Sequence, residues 1–404
     1  MSELRARLQK WPQAAARRIP ARGSQVLAGL LIVVGIVLPF FFPQTSGFLN
    51  ATIIAIAYAV MSLGLNVVVG FAGLLDLGYV AFYALGAYSV GWFASGFFFK
   101  LNVHVLVSPV ASTLPGIHLN FILVLIGAAL ICAGAGIVIG LPTLRLRGDY
   151  IAIVTLAFGE IIGTLAVNGQ SIHVGGGMTL TAGNLGISAV DQPYFPGVRF
   201  NLLDLRPWYW LILAILLFVL FVNLRLRDSR IGRAWVALRE DEVAAVSMGI
   251  PAVKTKLLAY SIGAAFGGMA GAFFGTYFTV VNASQFQFGF SIFILAMVII
   301  GGLGSIWGAV VGGLALGYIN NYLIPDVLNN APSWFGLHFQ LTQVEFGIFG
   351  FLLVMMMLLR PQGLIPERRR RLEMTAQIAA EDAQLAEAPT GEVTMILPPG
   401  EGAA

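Results

Sequence analysis

Apolar runs of bilayer-spanning length recur along the whole chain and are separated by short polar segments. We place them at about 26–43, 50–70, 78–99, 120–140, 150–168, 207–223, 255–279, 286–303, 305–323 and 342–359. A helix needs roughly 20 apolar residues to cross the hydrocarbon core. The pattern therefore predicts an all-α, polytopic membrane protein of about ten transmembrane helices, with broken helices near its Gly-rich motifs.

Composition supports the same class. The chain has 404 residues, of which 58% are hydrophobic and 10% are charged, and its mean hydropathy is +0.86. About a quarter of the residues in a soluble domain are charged, so this chain has too few charges to cover a water-facing surface. Its single cysteine, Cys132, excludes an intramolecular disulfide. The basic residues border apolar runs and form no soluble basic face, which argues against nucleic-acid binding.

The distribution of positive charge predicts the orientation. Of the 23 lysines and arginines, only Lys100, Arg199 and Arg206 fall in segments that the span pattern places outside the cell. We therefore expect both termini in the cytoplasm. The predicted parts are a basic cytoplasmic tail at 1–25, a transmembrane domain at 26–366, and a disordered cytoplasmic tail at 367–404 that is first basic and then acidic.

A charged segment at 225–254 interrupts the apolar pattern inside the transmembrane domain. Ser229 or Asp228 can cap a helix in it, and the pattern continues as one helix. Trp235 and Leu238 fall on a single apolar face of that helix. An amphipathic helix outside the membrane must bury such a face against lipid headgroups or a soluble partner.

The sequence carries no catalytic or nucleotide-binding motif. A phosphate-binding loop requires Gly-Lys followed by Ser or Thr, and no Gly-Lys dipeptide occurs. The histidines His104, His118, His173 and His338 lack metal-ligand spacing and are interpreted as exposed loop residues. We expect no enzyme activity, and no metal or cofactor bound by this chain.

Polar residues inside apolar runs are the remaining functional candidates, because an ionisable group in a membrane span is costly. Asp76 either caps a half-helix that restarts after a Gly-rich break or lines a substrate path. Glu160 either makes a hydrogen bond within the bundle or forms a cavity wall. A second Gly-rich stretch, Gly301–Gly308, is expected on the same side of the membrane as Gly70–Gly78. Assigned to the translocation path or helix break are Asn66, Gly70, Gly73, Asp76, Gly78, Tyr79 and Glu160.

Four segments together resemble a known family. They are Leu65–Tyr88 (LNVVVGFAGLLDLGYVAFYALGAY), Leu144–Ile161, Ile231–Ile250 and Leu358–Pro366 (LLRPQGLIP). They are similar to the permease subunit of bacterial branched-chain amino-acid ABC importers of the LivM type. The resemblance implies a multi-pass protein of the bacterial inner membrane that moves leucine, isoleucine or valine into the cytoplasm.

The resemblance also implies partners. A second homologous permease subunit would form a heterodimer with this chain in the lipid bilayer. Two cytoplasmic ABC ATPase subunits would use ATP, and a periplasmic binding protein would deliver the substrate. Urea or short amides are alternative substrates within the same family, and an ion-coupled secondary transporter is an alternative from another class.

In this family the charged segment at 225–254 is implied to be the coupling loop that docks on an ATPase. Trp235 and Leu238 are then expected to anchor the helix in a groove, with the neighbouring charges fixing its register. The positions that match the coupling loop or serve as its anchors are Gly232, Arg233, Ala234, Trp235, Leu238, Arg239, Glu240, Asp241, Glu242, Ala245 and Gly249.

Overall fold

The structure, a computed structural model, describes residues 35–109, 111–144, 150–174, 177–201, 203–328, 344–360 and 363–365. Both predicted tails, at 1–25 and 367–404, lie outside the described residues, and so does most of the run at 26–43.

Eleven α-helices make up most of the described chain. They are α1 (Gly47–Leu65), α2 (Val80–Phe93), α3 (Phe121–Thr143), α4 (Tyr150–Asn168), α5 (Arg206–Asp228), α6 (Arg230–Glu240), α7 (Glu242–Ser247), α8 (Ala252–Tyr277), α9 (Phe288–Gly301), α10 (Ile306–Tyr318) and α11 (Glu345–Leu359). Within the described residues, 6 helical segments are long and apolar enough to cross a membrane, and α2 and Gly347–Leu359 are shorter apolar helices. The predicted all-α, polytopic class is confirmed.

Seven short strands lie in the connections between these helices. They are β1 (Ala94–Ser95), β2 (Val103–Val105), β3 (Ile117–Leu119), β4 (His173–Val174), β5 (Met178–Thr179), β6 (Ile187–Ser188) and β7 (Val280–Val281). The strand β3 pairs antiparallel with β1 and parallel with β2. Two antiparallel pairs, β4 with β5 and β6 with β7, complete the described strands. All of them lie at the end of the bundle opposite α6 and α7, which we call the loop end.

The centre of the bundle is formed by α1 and α8. The helix α8 packs against α1, α2 and α3, and α1 also packs against α10 and α5. The most apolar stretch of α1 is 94% buried inside the chain, whereas those of α3 and α4 are each 28% buried. A helix that is apolar on every side belongs in an interior, so α1 occupies the core and α3 and α4 lie at its edge.

Two Gly-rich breaks interrupt the helices, as the sequence predicts. After α1 the chain widens into a π-helical turn, Asn66–Phe71, and then runs without regular structure to α2, with Gly73 at φ +71°. Between α9 and α10, Gly302 and Gly304 adopt φ values of +126° and +80°. Residues that carry a side chain rarely adopt such backbone angles, so glycine is required at these turns. We call Gly70–Gly78 the first break and Gly301–Ser305 the second break.

Two predicted spans differ from the observed helices. The apolar run at 78–99 is helical only from Val80 to Phe93, after which the chain turns into β1. The run at 305–323 gives α10, which passes into a second π-helical segment, Ile319–Leu328, containing Pro325. Proline has no amide hydrogen and cannot continue regular α-helical hydrogen bonding.

Close helix contact at Gly86 gives a stability prediction. A Cβ at Gly86 in α2 would lie 2.2 Å from the carbonyl oxygen of Gly268 in α8, whereas a Cβ at Gly134 in α3 would meet nothing within 4 Å. We expect Gly86→Ala to lower the free energy of unfolding by about 1–3 kcal/mol, the usual cost of overpacking. Thermal unfolding of the purified protein in detergent measures this, with Gly134→Ala as the control. Equal melting temperatures for the two variants would contradict the packing described for α2 and α8.

Candidate coupling surface and helix breaks

The charged segment folds as two helices joined by a sharp turn, and the single helix predicted for it is wrong. Ser229 is extended, and its Oγ accepts a hydrogen bond from Gly232 N (3.1 Å), which starts α6. Asp241 is also extended, and its Oδ1 accepts from Ala244 N (2.9 Å), which starts α7. A side-chain acceptor at each start satisfies helix amides that would otherwise lack partners.

The residues expected to anchor a partner are instead buried within the chain. The Trp235 ring is fully buried, stacks on Phe71 with the ring centroids 6.5 Å apart, and donates from Nε1 to Thr255 O (2.7 Å). Leu238 is buried on the same face. The expectation that Trp235 and Leu238 enter an ATPase groove is wrong, because α6 buries its apolar stripe against its own bundle.

Other matched positions fix the shape of this segment. Gly232 packs so tightly on the end of α5 that a Cβ would lie 2.2 Å from Leu226 O. Ala245 is buried, and its carbonyl accepts from Ile250 N (3.1 Å). Gly249 follows α7 at φ +89°, and Glu242 forms an ion pair with Lys256 at 2.7 Å. The segment is therefore held in one geometry on the bundle, and Ala234 is half-buried within it.

An apolar surface that the sequence analysis missed lies on α7. Val243 is 78% exposed, Val246 is exposed, and Met248 is 85% exposed. We call Val243, Val246 and Met248 the α7 patch. The acids Glu240, Asp241 and Glu242 are exposed beside it in sequence, and Arg233 is exposed on α6. The spacing of Val243 and Val246, three residues apart and so on one side of a helix, is the sequence signal that could have indicated this surface.

Arg239 points into the bundle. Its Nη1 donates to the carbonyl oxygen of Gly70 in the first break. A Cβ at Gly73 would lie 2.5 Å from Arg239 Cγ, so the arginine stem fills the space that glycine leaves. The structure thus joins two sets of residues that the sequence analysis treated separately, those of α6 and those of the first break.

Asp76 caps the turn that precedes α2, whereas the helix itself, with Tyr79 at its N-cap, has no side-chain cap. Asp76 is buried, and its Oδ1 accepts a hydrogen bond from Gly78 N (2.8 Å) just before α2 begins. Thr155 on α4 supports the same turn, because its Oγ1 accepts from Leu77 N (3.1 Å). A Cβ at Gly78 would lie 2.0 Å from Thr155 O. These contacts give Asp76 a structural role in this turn, and its buried Oδ2 has no hydrogen-bond partner within the described residues, so the substrate-path interpretation stays a prediction.

The two breaks meet. Asn66 Oδ1 accepts from Gly304 N (2.9 Å), so a side chain at the end of α1 satisfies an amide in the second break. Tyr79, at the start of α2, donates from its hydroxyl to Gly263 O in α8 (3.0 Å). The two Gly-rich stretches therefore lie on the same side of the bundle, as the sequence analysis expects.

Glu160 differs from Asp76 in its exposure. Its neighbour Gly159 faces the first break, with a Cβ there 3.2 Å from Gly78 Cα, but Glu160 itself is exposed on α4. Within the described residues no hydrogen bond joins Glu160 to the bundle, which argues against the packing interpretation, and the cavity wall stays a prediction. The carboxylate stands on a helix whose outer face is otherwise largely apolar.

One histidine differs from the expectation of exposed loop residues. His118 on β3 is buried, and its Nδ1 lies 2.5 Å from Asp191 Oδ2. Its ring stacks on His104 with the centroids 5.3 Å apart. Burial raises the pKa of the Asp191 carboxyl, and the hydrogen bond and charge of His118 oppose that rise. This pair joins the connection between α2 and α3 to the connection between α4 and α5 at the loop end. His338 lies outside the described residues.

The sequence identifies the family to which this architecture belongs. Residues 47–359 match the family described as branched-chain amino acid transport system, permease component. The chain belongs to this family. The match covers the bundle from α1 to α11, including both breaks, α6 and α7. No solved structure matches this permease.

Curated relatives agree with the family assignment. The permease is 36% identical over 375 residues to the high-affinity branched-chain amino acid transport system permease protein LivM of Escherichia coli, covering 87% of this chain and 78% of the relative. It is 35% identical over 376 residues to LivM of Salmonella typhimurium, with the same coverage. It is 26% identical to LivH of Salmonella typhimurium, covering 78% of this chain and 93% of that permease.

Replacement of Asp76 tests the cap. Asp76→Leu leaves Gly78 N buried without an acceptor, so we expect the free energy of unfolding to fall by about 1–3 kcal/mol. Asp76→Asn retains an acceptor oxygen, and we expect it to keep most of the stability. Thermal unfolding in detergent compares the two variants with the parent. A stable Asp76→Leu variant would show that the first break does not depend on this hydrogen bond.

Proposed function

We propose that this permease is the membrane-spanning subunit of an ATP-binding-cassette importer that moves leucine, isoleucine and valine into the bacterial cytoplasm. In this proposal a periplasmic binding protein delivers the substrate and two cytoplasmic ABC ATPase subunits hydrolyse ATP. The family match and the names of the relatives support a permease in a multi-component branched-chain amino acid transport system. This chain itself would bind no cofactor, since its sequence has no Gly-Lys dipeptide for a phosphate-binding loop.

The observation that carries the proposal is the α7 patch. Val243 and Val246 on α7, and Met248 directly after it, present apolar side chains to the exterior, and α6 and the Glu242–Lys256 ion pair hold α7 in place. Exposed apolar groups beside charged ones mark a surface for another protein. A short helix that enters a groove on a partner uses this arrangement, and the neighbouring acids would set its register. We assign the ATPase contact to this patch and to the exposed charges Arg233, Glu240 and Asp241.

The distribution of charge supports the orientation. The α7 patch and most basic residues belong to the same side of the membrane in the positive-inside assignment, with both termini in the cytoplasm of an inner-membrane protein. The proposed ATPases would then meet α7 on the side where ATP is present.

A second homologous permease subunit is part of the proposal. The similarity of this chain to LivH as well as LivM supports a pair of related permeases. Exposed Glu160 supports a surface on α4 that contacts protein or water, because a carboxylate facing lipid at mid-span is costly. We propose that this face and the first break border the translocation path.

The ion-coupled alternative is less well supported. It requires carboxylates that bind and release an ion together, and the two candidates are Asp76 and Glu160. Asp76 is buried in the turn before α2, and Glu160 faces outward from α4. One carboxylate is buried and the other is exposed, which does not favour an ion site shared by the two.

Reconstitution tests the function. The permease is purified with the proposed second permease and ATPases of the same organism, placed in liposomes, and supplied with the proposed binding protein and radiolabelled leucine. We expect uptake only when ATP is enclosed, and competition by isoleucine and valine but not by urea. Uphill uptake by the permease alone, or uptake without ATP, would reject the importer.

The α7 patch gives a mutational test. Met248→Asp places a charge on the proposed contact, and loss of one buried apolar side chain costs about 1.5–3 kcal/mol. We therefore expect at least about tenfold weaker co-purification of the ATPases. The control is Leu185→Asp, because Leu185 is 89% exposed at the loop end. Equal ATPase recovery with both variants would remove the patch from the contact.

A further inference from the structure

The guanidinium of Arg239 bonds to a backbone carbonyl and not to a carboxylate. Arg239 stands in the last turn of α6, and within the described residues no carboxylate lies within ion-pair distance of it. Its guanidinium instead donates to Gly70 O, in the last turn of the helix that begins at Gly47. Carbonyls in that turn lack partners within the helix and carry the negative end of the helix dipole. A hydrogen bond from a charged donor to such a carbonyl is among the stronger kinds.

The carbonyl that Arg239 holds belongs to the first break, which is in backbone contact with the second. A Cβ at Gly70 would lie 2.7 Å from Gly304 N. The same amide donates its hydrogen bond to Asn66 Oδ1. The second break is in turn closed by the chain after α11. Leu364 N donates to Ile300 O (2.8 Å), and Ile365 N donates to Gly301 O (2.9 Å).

These contacts form one continuous path from α6 to the ends of α1 and α9. Trp235 fixes the body of α6 on Phe71 and on α8, and Arg239 fixes its last turn on Gly70. Because backbone groups in the breaks touch directly, little free space exists for one break to shift without the other. A displacement of α6 therefore reaches both breaks.

We propose that Arg239 is a positioning residue that couples displacement of α6 to the geometry of the two helix breaks through the Gly70 carbonyl. The proposal rests on the proposed function, in which the ATPases move α6 and α7. It replaces the expectation that Arg239 contacts the ATPase, a role that we give to exposed residues. Arg239 transmits the movement, and the α7 patch receives it.

The test separates ATPase binding from transport. Arg239→Gln keeps much of the side-chain stem but removes the charged donor. In the reconstituted importer we expect normal co-purification of the ATPases, continued ATP hydrolysis, and at least about fivefold less leucine uptake per ATP hydrolysed, the lower range of coupling effects. The control is Arg227→Gln, since Arg227 forms only an exposed ion pair with its neighbour Asp228 (3.0 Å), and exposed pairs contribute little.

A labelling experiment measures how the exposure of the first break changes with ATP. Leu75 lies in the first break and is 40% exposed, and Cys132 is the only native cysteine and is buried. Leu75→Cys therefore gives a specific site for a water-soluble maleimide. With Arg239 present, we expect ATP to change the labelling rate of Leu75→Cys in the complex. In the Arg239→Gln background we expect that response to ATP to be lost while the ATPases remain bound.

Three outcomes would overturn the proposal. Loss of ATPase co-purification in Arg239→Gln would make Arg239 a docking residue, and the importer function would stand. An unchanged ratio of uptake to hydrolysis would show that the Gly70 contact is not needed for coupling. A normal ATP response of Leu75→Cys in the Arg239→Gln background would show that movement reaches the break by another route. Failure of the importer itself appears separately, as missing ATP-dependent uptake by the parent.

Discussion

The structure depends on where backbone hydrogen bonds go when a helix stops inside an apolar bundle. Most residues of the two breaks are buried, so a buried amide or carbonyl freed there needs a partner from the protein. In the first break, Asp76, Thr155 and Arg239 supply these hydrogen-bond partners. In the second break they are supplied by Asn66 and by the backbone of Leu364 and Ile365. The breaks are possible only because other elements supply these groups.

Glycine allows those partners to come close enough. Where the backbone of one element supplies the hydrogen bond or the packing surface, a side chain between them would block the approach. Gly78 lies against the backbone of Thr155, and Gly70 lies against that of Gly304. The abundance of glycine in this chain therefore reflects close backbone contact as well as turn geometry.

The architecture was predictable from the sequence because it follows from local patterns. Apolar length predicted the membrane class, and the glycine clusters predicted both breaks. The direction of Trp235 was not predictable in this way. An apolar stripe on a charged helix shows that the stripe will be buried, but not whether the burial lies within the chain or against a partner. The same limit applies to His118, whose partner Asp191 is distant in sequence.

The closure of the second break by Leu364 and Ile365 has a consequence for biosynthesis. These residues are synthesised after the helices α1 to α11. The carbonyls at the end of α9 therefore lack these two amide donors until Leu364 and Ile365 have left the ribosome. Among the described residues, the capture of this short segment is thus the last step of assembly. A nascent chain that stops just short of it would contain every helix named above and still lack the donors for these two carbonyls.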